Sequence, residues 1–104
     1  MVSIGILGLG NWGSAIAKMW LDEGHKVKGW TIEPEVYESI TMDNINHKYL
    51  PKLSLKGMDV SMHIADTIEG VEVVVLAVPS SVILEVVDQV IPHLRPRHVL
   101  LDLA

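Results

Sequence analysis

The chain alternates between two hydrophobic rhythms. Val2 to Leu7 is a short, β-branched apolar run, as expected of a strand buried on both faces. Three glycines at Gly8, Gly10 and Gly13 interrupt it, and a helical pattern then runs from Asn11 to Glu23. Within that pattern Ser14, Lys18 and Asp22 fall at helical spacing and read as a narrow polar stripe. Ala15, Ile16, Met19 and Trp20 take the other sides, and Gly24 stands where a left-handed helix cap belongs. Lys26 to Thr31 reads as a second strand, and Glu33-Pro34-Glu35 opens a second helix that extends to about Thr41. Asp43 to Gly57 is polar and irregular and predicts a long loop, a feature that points to function in a compact domain. Asp59 to Ile64 alternates as an edge-side strand, with a helical turn at Asp66 to Glu69. Val71 to Val78 is nearly all apolar and predicts a central parallel strand, stopped by Pro79. Ser80 or Ser81 can cap the next helix, where Val82, Ile83, Val86, Val87 and Val90 recur at helical spacing with Glu85, Asp88 and Gln89 outward. Pro92 and Pro96 precede a last strand, His98 to Leu103.

Strands alternating with helices predict an α/β fold: a Rossmann-like, doubly wound parallel sheet of about five strands in the order 3-2-1-4-5. Residues 1–104 are read as a single domain, truncated by about two strands relative to that fold. Ligands of such sheets bind at the carboxyl ends of the strands, where the order reverses between the first and fourth strands. Gly8 to Gly13 and Val78 to Val82 are placed there.

Composition narrows the possibilities. The chain has 49% hydrophobic residues, enough for a core, and no cysteine, which removes disulfides, thiolate metal sites and thiol nucleophiles together. Its formal net charge of -5 gives no broad footprint for nucleic acid. No apolar run approaches the length of a membrane span, and the N-terminus has no signal-peptide pattern, so a cytoplasmic protein is expected.

Gly8-Leu9-Gly10-Asn11-Trp12-Gly13 is a G-x-G-x-x-G between a predicted strand and a predicted helix. Gly8 permits the tight turn, Gly10 allows a pyrophosphate close to the backbone, and Gly13 lets helix and strand pack. N–H groups at the helix start would bind phosphate oxygens. Glu33 lies where the ribose-binding acid of this motif belongs, about 20 residues on. Its carboxylate would accept from a 2′-hydroxyl and repel a 2′-phosphate. No Arg or Lys occupies positions 31 to 35, so NAD is expected over NADP.

The segment from Gly8 to Lys18, with its G-x-G-N-W-G-S-A core, resembles the opening of NAD-dependent glycerol-3-phosphate dehydrogenases, especially the eukaryotic form. Trp30-Thr31-Ile32-Glu33 resembles the family's Trp-led second strand, Asn46-His47-Lys48-Tyr49-Leu50-Pro51 its N-x-K-Y-L-P loop, and Ala77-Val78-Pro79-Ser80 its V-P-S turn. The resemblance implies dinucleotide binding and, in the whole enzyme, reversible hydride transfer between dihydroxyacetone phosphate and sn-glycerol 3-phosphate. It implies that Gly8, Gly10, Asn11, Trp12 and Gly13 hold the pyrophosphate region. Ile32 then takes a position that packs on adenine, often Phe in the family, followed by Glu33. Val82, beyond Pro79, matches a position near the nicotinamide, again often Phe. Trp12 and Tyr49 match positions lining the cofactor cleft. The NADP-preferring bacterial forms carry basic residues at the two positions held here by Ile32 and Glu33, which again favours NAD. The family's substrate-binding Lys follows the fifth strand, and its catalytic groups lie in a helical second domain. No catalytic residue is therefore expected in this chain.

Other candidates carry less chemistry. His25, His47, His63, His93 and His98 lack metal-ligand spacing, so no metal is expected; His63 is read as a partly buried strand residue. Lys48 and Lys52 are read as solvated loop charges, and Arg95 and Arg97 as solvated and far from the strand-order reversal. Trp20 is read as core or interface. Prephenate and 6-phosphogluconate dehydrogenases share the first βαβ unit, but the Asn-Trp pair and the Lys-Tyr-Leu-Pro loop speak against them. A free-standing, non-enzymatic nucleotide-binding or interaction domain is the other alternative. Val99, Leu100, Leu101 and Leu103 predict an apolar edge, open to a homodimer or another association.

Overall fold

The computed structural model describes residues 1–103. Its elements are β1 (Ser3–Leu7), α1 (Asn11–Asp22), β2 (Lys26–Trp30), α2 (Pro34–Asp43), β3 (Asp59–Ser61), α3 (Ile64–Ile68), β4 (Val73–Leu76), α4 (Ile83–Val90) and β5 (Val99–Asp102). Single 3₁₀ turns at Ser80–Val82 and Ile91–His93 flank α4. The five strands form one sheet in the order β3-β2-β1-β4-β5, and every pairing is parallel.

Strand periodicity divides the core between the two faces of the sheet. Ile4, Ile6, Val27 and Val75 pack with Ala17 of α1, Val36 and Ile40 of α2, and Leu55 and Met58 of the following loop. Leu7, Trp30, Val74 and Leu76 pack instead with Ile64 and Ile68 of α3 and Val86 and Val90 of α4. Both faces are covered, which is why β1 and β4 read as continuous apolar runs. The exception is β5, where all four residues are exposed and Val99, Leu100 and Leu101 leave an apolar edge.

Gly24 adopts the expected left-handed conformation just past α1, with φ +88°. Asn44 ends α2 in the same way, with φ 59°.

Several expectations need correction. Ser14 is not on a polar stripe: it is fully buried, and the exposed side of α1 includes the apolar Met19. The strand expected over Asp59 to Ile64 stops at Ser61. There the Ser61 hydroxyl accepts the His63 N–H at 2.9 Å, a local turn that competes with the strand ladder. His63 is therefore exposed rather than partly buried in a strand, and α3 starts at Ile64 rather than Asp66. Neither Ser80 nor Ser81 caps α4, because both lie inside the 3₁₀ turn and the cap position falls to Val82, which has no capping side chain. Among the described residues, no helix is long and apolar enough to cross a membrane. None of their His, Asp and Glu side chains gather in threes in a way that could hold a metal ion.

Candidate functional site

Because β1 connects toward β2 and β4 lies on its other side, the carboxyl ends of the strands open into a crevice. The crevice measures about 780 Å³, within the range of small-molecule sites. Nine of the ten residues singled out from the sequence line it: Gly8, Gly10, Asn11, Trp12, Ile32, Glu33, Tyr49, Pro79 and Val82. The tenth, Gly13, lies behind the turn. A Cβ placed on Gly13 would stand 1.8 Å from the Gly8 carbonyl oxygen, so its hydrogen is what lets α1 start against β1.

The glycine turn is shaped by its surroundings. Gly8 has φ +113° and lies close under Ala77, leaving no place for a side chain. Gly10 is the N-cap of α1, and a Cβ built there meets nothing within 4 Å. The first turn of α1 carries no acidic residue and no side-chain cap, so its N–H groups and positive dipole end face the crevice without an internal anion. By contrast, α2 and α4 carry Glu35 and Glu85 in their first turns.

At the other wall, Glu33 lies three residues past β2, as the N-cap of α2. Tyr49 donates its hydroxyl to Glu33 Oε2 at 2.8 Å, and Lys48 Nζ donates to Oε1. Lys48 also reaches Glu35 at 3.4 Å and sits over the Tyr49 ring. The Lys48 hydrogen bond, aided by that of Tyr49, holds the Glu33 carboxyl below the usual glutamate range, while the partner Lys48 is raised. Glu33 is thus an ionised acceptor at neutral pH. Lys48 is not simply a solvated loop charge, although half of its side chain remains exposed. The long loop brings a cation to the acid even though positions 31 to 35 hold none. Its spacing of 15 residues from Glu33 gave no local sign of this.

Two further groups were not anticipated. Glu85 and Gln89, one helical turn apart on α4, line the crevice together with Leu103. Asn46 is fully buried and bonds the Leu9 carbonyl and the Ser14 hydroxyl, each at 2.9 Å. Only the spacing of Glu85 and Gln89 was readable in advance; Asn46 stood out solely as part of a loop motif.

Comparison with known proteins shows the family of the chain. Residues 3–104 match the family described as the NAD-dependent glycerol-3-phosphate dehydrogenase N-terminus. The chain is similar to glycerol-3-phosphate dehydrogenase [NAD(P)+] of Geobacillus thermodenitrificans, 37% identical over 86% of this chain and 26% of that protein. It is likewise similar to the enzyme of the same name from Latilactobacillus sakei, 30% identical over 94% of this chain and 29% of that one. The chain therefore spans less than a third of either relative. Among solved structures, glycerol-3-phosphate dehydrogenase of Coxiella burnetii superposes with a TM-score of 0.91 at 26% identity, covering 97% of this chain and 31% of that one. Arogenate dehydrogenase of Synechocystis has a TM-score of 0.76 at 21% identity over 98% of this chain and 32% of that one, a likeness of fold alone.

Proposed function

The chain belongs to the NAD-dependent glycerol-3-phosphate dehydrogenase family, as its N-terminal, NAD(P)-binding part, and from that membership we propose how it holds the cofactor and what the whole protein does. The dinucleotide lies along the crevice. Gly8, Gly10, Asn11, Trp12 and Gly13 form or support the pyrophosphate subsite. Ile32 packs on the adenine, Glu33 and Tyr49 face its ribose, and Pro79 and Val82 flank the nicotinamide. The observation that carries this reading is the convergence of a glycine turn, an uncapped helix start and an ionised acid on one crevice. The open space at Gly10 suits close approach of a phosphate.

When bound, the cofactor supplies the hydride. The whole protein interconverts dihydroxyacetone phosphate and sn-glycerol 3-phosphate in the cytoplasm, where the nicotinamide pool is available. Residues 1–104 act as one dinucleotide-binding domain. Reduction of a carbonyl also needs a donor at the developing alkoxide. The ionisable side chains lining this crevice are Glu33, Tyr49 and Glu85. Glu33 and Tyr49 are bonded to each other and are assigned to the ribose, and no residue of this chain is assigned as the catalytic acid.

NAD is preferred over NADP because the Glu33 carboxylate repels a 2′-phosphate. Lys48 softens that preference by lying on the same carboxylate. Fluorescence titration with NADH is expected to saturate below millimolar concentration, with NADPH weaker by about tenfold, a difference of ~1.4 kcal/mol. No NADH binding at millimolar concentration sinks the site, and equal affinity for the two removes the discriminating role of Glu33. The same sample is expected not to turn over dihydroxyacetone phosphate. Val99, Leu100 and Leu101 on the open β5 edge support self-association of this chain, as a homodimer or another assembly that covers them. Sedimentation velocity should show a concentration-dependent species larger than 11.5 kDa, and a strict monomer contradicts it.

A further inference from the structure

We propose that Asn46, together with Ser14, is a positioning residue for the phosphate-binding turn: by holding the Leu9 carbonyl inside the protein, the pair points the Gly10 N–H into the crevice. The inference rests on the dinucleotide reading and deepens it at one subsite.

Its basis is the orientation of a single peptide plane. Leu9 O accepts from Asn46 Nδ2 at 2.9 Å and from the Ser14 hydroxyl at 3.1 Å. Asn46 Nδ2 also donates to Ser14 Oγ at 2.9 Å, so the three groups close a triangle. Both Asn46 and Ser14 are 0% exposed. The described backbone has no cis peptide bonds, and in a trans peptide the C=O and the N–H of the next residue point in opposite directions. With the Leu9 oxygen drawn inward, the Gly10 N–H faces outward, and Gly10 lines the crevice.

The need for a clamp follows from the turn itself. The flanking glycines lack the Cβ that restricts a backbone, so the Leu9–Gly10 peptide has little local reason to keep one orientation. A flipped peptide would present a carbonyl oxygen to the ligand's phosphates, turning an attractive contact into a repulsive one. Two buried donors on one carbonyl oppose that flip, because rotation would take the acceptor from the Ser14 hydroxyl and one of two acceptors from Asn46 Nδ2. The clamp comes from far along the chain: Asn46 lies 37 residues after Leu9. Its own Oδ1 accepts the Tyr49 N–H at 3.1 Å. One short loop segment therefore fixes the phosphate turn through Asn46 and the ribose acid Glu33 through Lys48 and Tyr49.

The test uses the ¹⁵N-labelled chain with Asn46→Asp and Ser14→Ala. Asp keeps an acceptor for the Tyr49 N–H but removes the donor to Leu9; Ala removes the second donor and adds no charge. Wild type should show a Gly10 amide that exchanges rapidly and shifts on titration with NADH or inorganic pyrophosphate. Asn46→Asp should weaken NADH by about tenfold or more, and Ser14→Ala by about threefold, as expected for losing a buried hydrogen bond. In both, the Gly10 shift on titration should shrink, while weak adenosine binding, read by saturation-transfer NMR, stays unchanged. Should Asn46→Asp lose its dispersed spectrum, Ser14→Ala decides. NADH affinity within twofold of wild type, or equal losses for adenosine and NADH, overturns the positioning role. Wild type that binds NADH without moving the Gly10 amide also overturns it. Wild type that binds no dinucleotide at all overturns the broader site reading instead.

Discussion

Gly13→Ala is expected to lower the melting temperature by about 15 °C, corresponding to roughly 3 kcal/mol for a domain of this size. The added methyl carbon would lie 1.8 Å from the Gly8 carbonyl oxygen and 3.0 Å from its carbon. Real carbon–oxygen contacts do not come that close, and the obstacle is backbone, which cannot rotate aside. Either α1 lifts from β1 or the turn at Gly8 opens. The second route is restricted, because Gly8 is itself pressed against the Ala77 carbonyl at φ +113°. Lifting α1 would expose Ala17 and loosen its packing on Ile4, Ile6 and Val75. Ordinary helix propensity works the other way, since Ala is worth ~1 kcal/mol more than Gly inside a helix. A measured destabilisation is therefore the clash less that gain, a lower bound on the clash. Differential scanning calorimetry of Gly13→Ala beside wild type checks this, and a melting temperature within about 2 °C of wild type would refute the close packing.

What could be read ahead of the structure follows from where each interaction originates. β1, the glycine turn and α1 are encoded within about 20 consecutive residues, by a β-branched run, three glycines and a helical repeat. Glu33 was legible for the same reason, since a βαβ unit of ordinary length places the residues just after its second strand there. The strand order followed from alternation of elements and the handedness of crossovers, which leave few topologies. Misreadings arose where distant partners decide. Ser14 has polar character and polar spacing, yet it is buried because Asn46 arrives from 32 residues away to satisfy its hydroxyl. Lys48 looks like any loop lysine until the loop folds back and lays it on Glu33. The early end of β3 was a local error of another kind. Its apolar alternation continues to Ile64, but a serine turn at Ser61 outcompetes one more strand residue. A hydrophobic pattern locates elements well and says little about which polar side chains will meet.

Gly10→Ala is expected to leave the fold intact and to cost at least tenfold in NADH affinity, ~1.4 kcal/mol or more. The contrast with Gly13 is geometric, because the two glycines stand three residues apart in one motif and differ in what surrounds them. Around Gly10 a built Cβ meets no atom within 4 Å, and its φ of -77° with ψ of -159° is open to any L-residue. Alanine there strains nothing, and its gain through the unfolded chain is offset because alanine is a poorer N-cap than glycine, so stability stays near that of wild type. The same methyl would project into the space where the proposed pyrophosphate approaches the backbone. A phosphate oxygen held at hydrogen-bond distance from the Gly10 N–H cannot keep that distance beside a new carbon without shifting outward. The shift would also weaken its interaction with the start of α1, since the dipole's influence falls off within a turn. A thermal melt paired with an NADH titration separates the two effects. A stable Gly10→Ala that binds NADH as wild type does would mean that the phosphates keep their distance from this glycine. Loss of both stability and binding would instead mean that the space beside Gly10 is not open in the folded chain. Only a preserved melt with lost affinity supports a backbone cradle kept clear for the ligand rather than for packing.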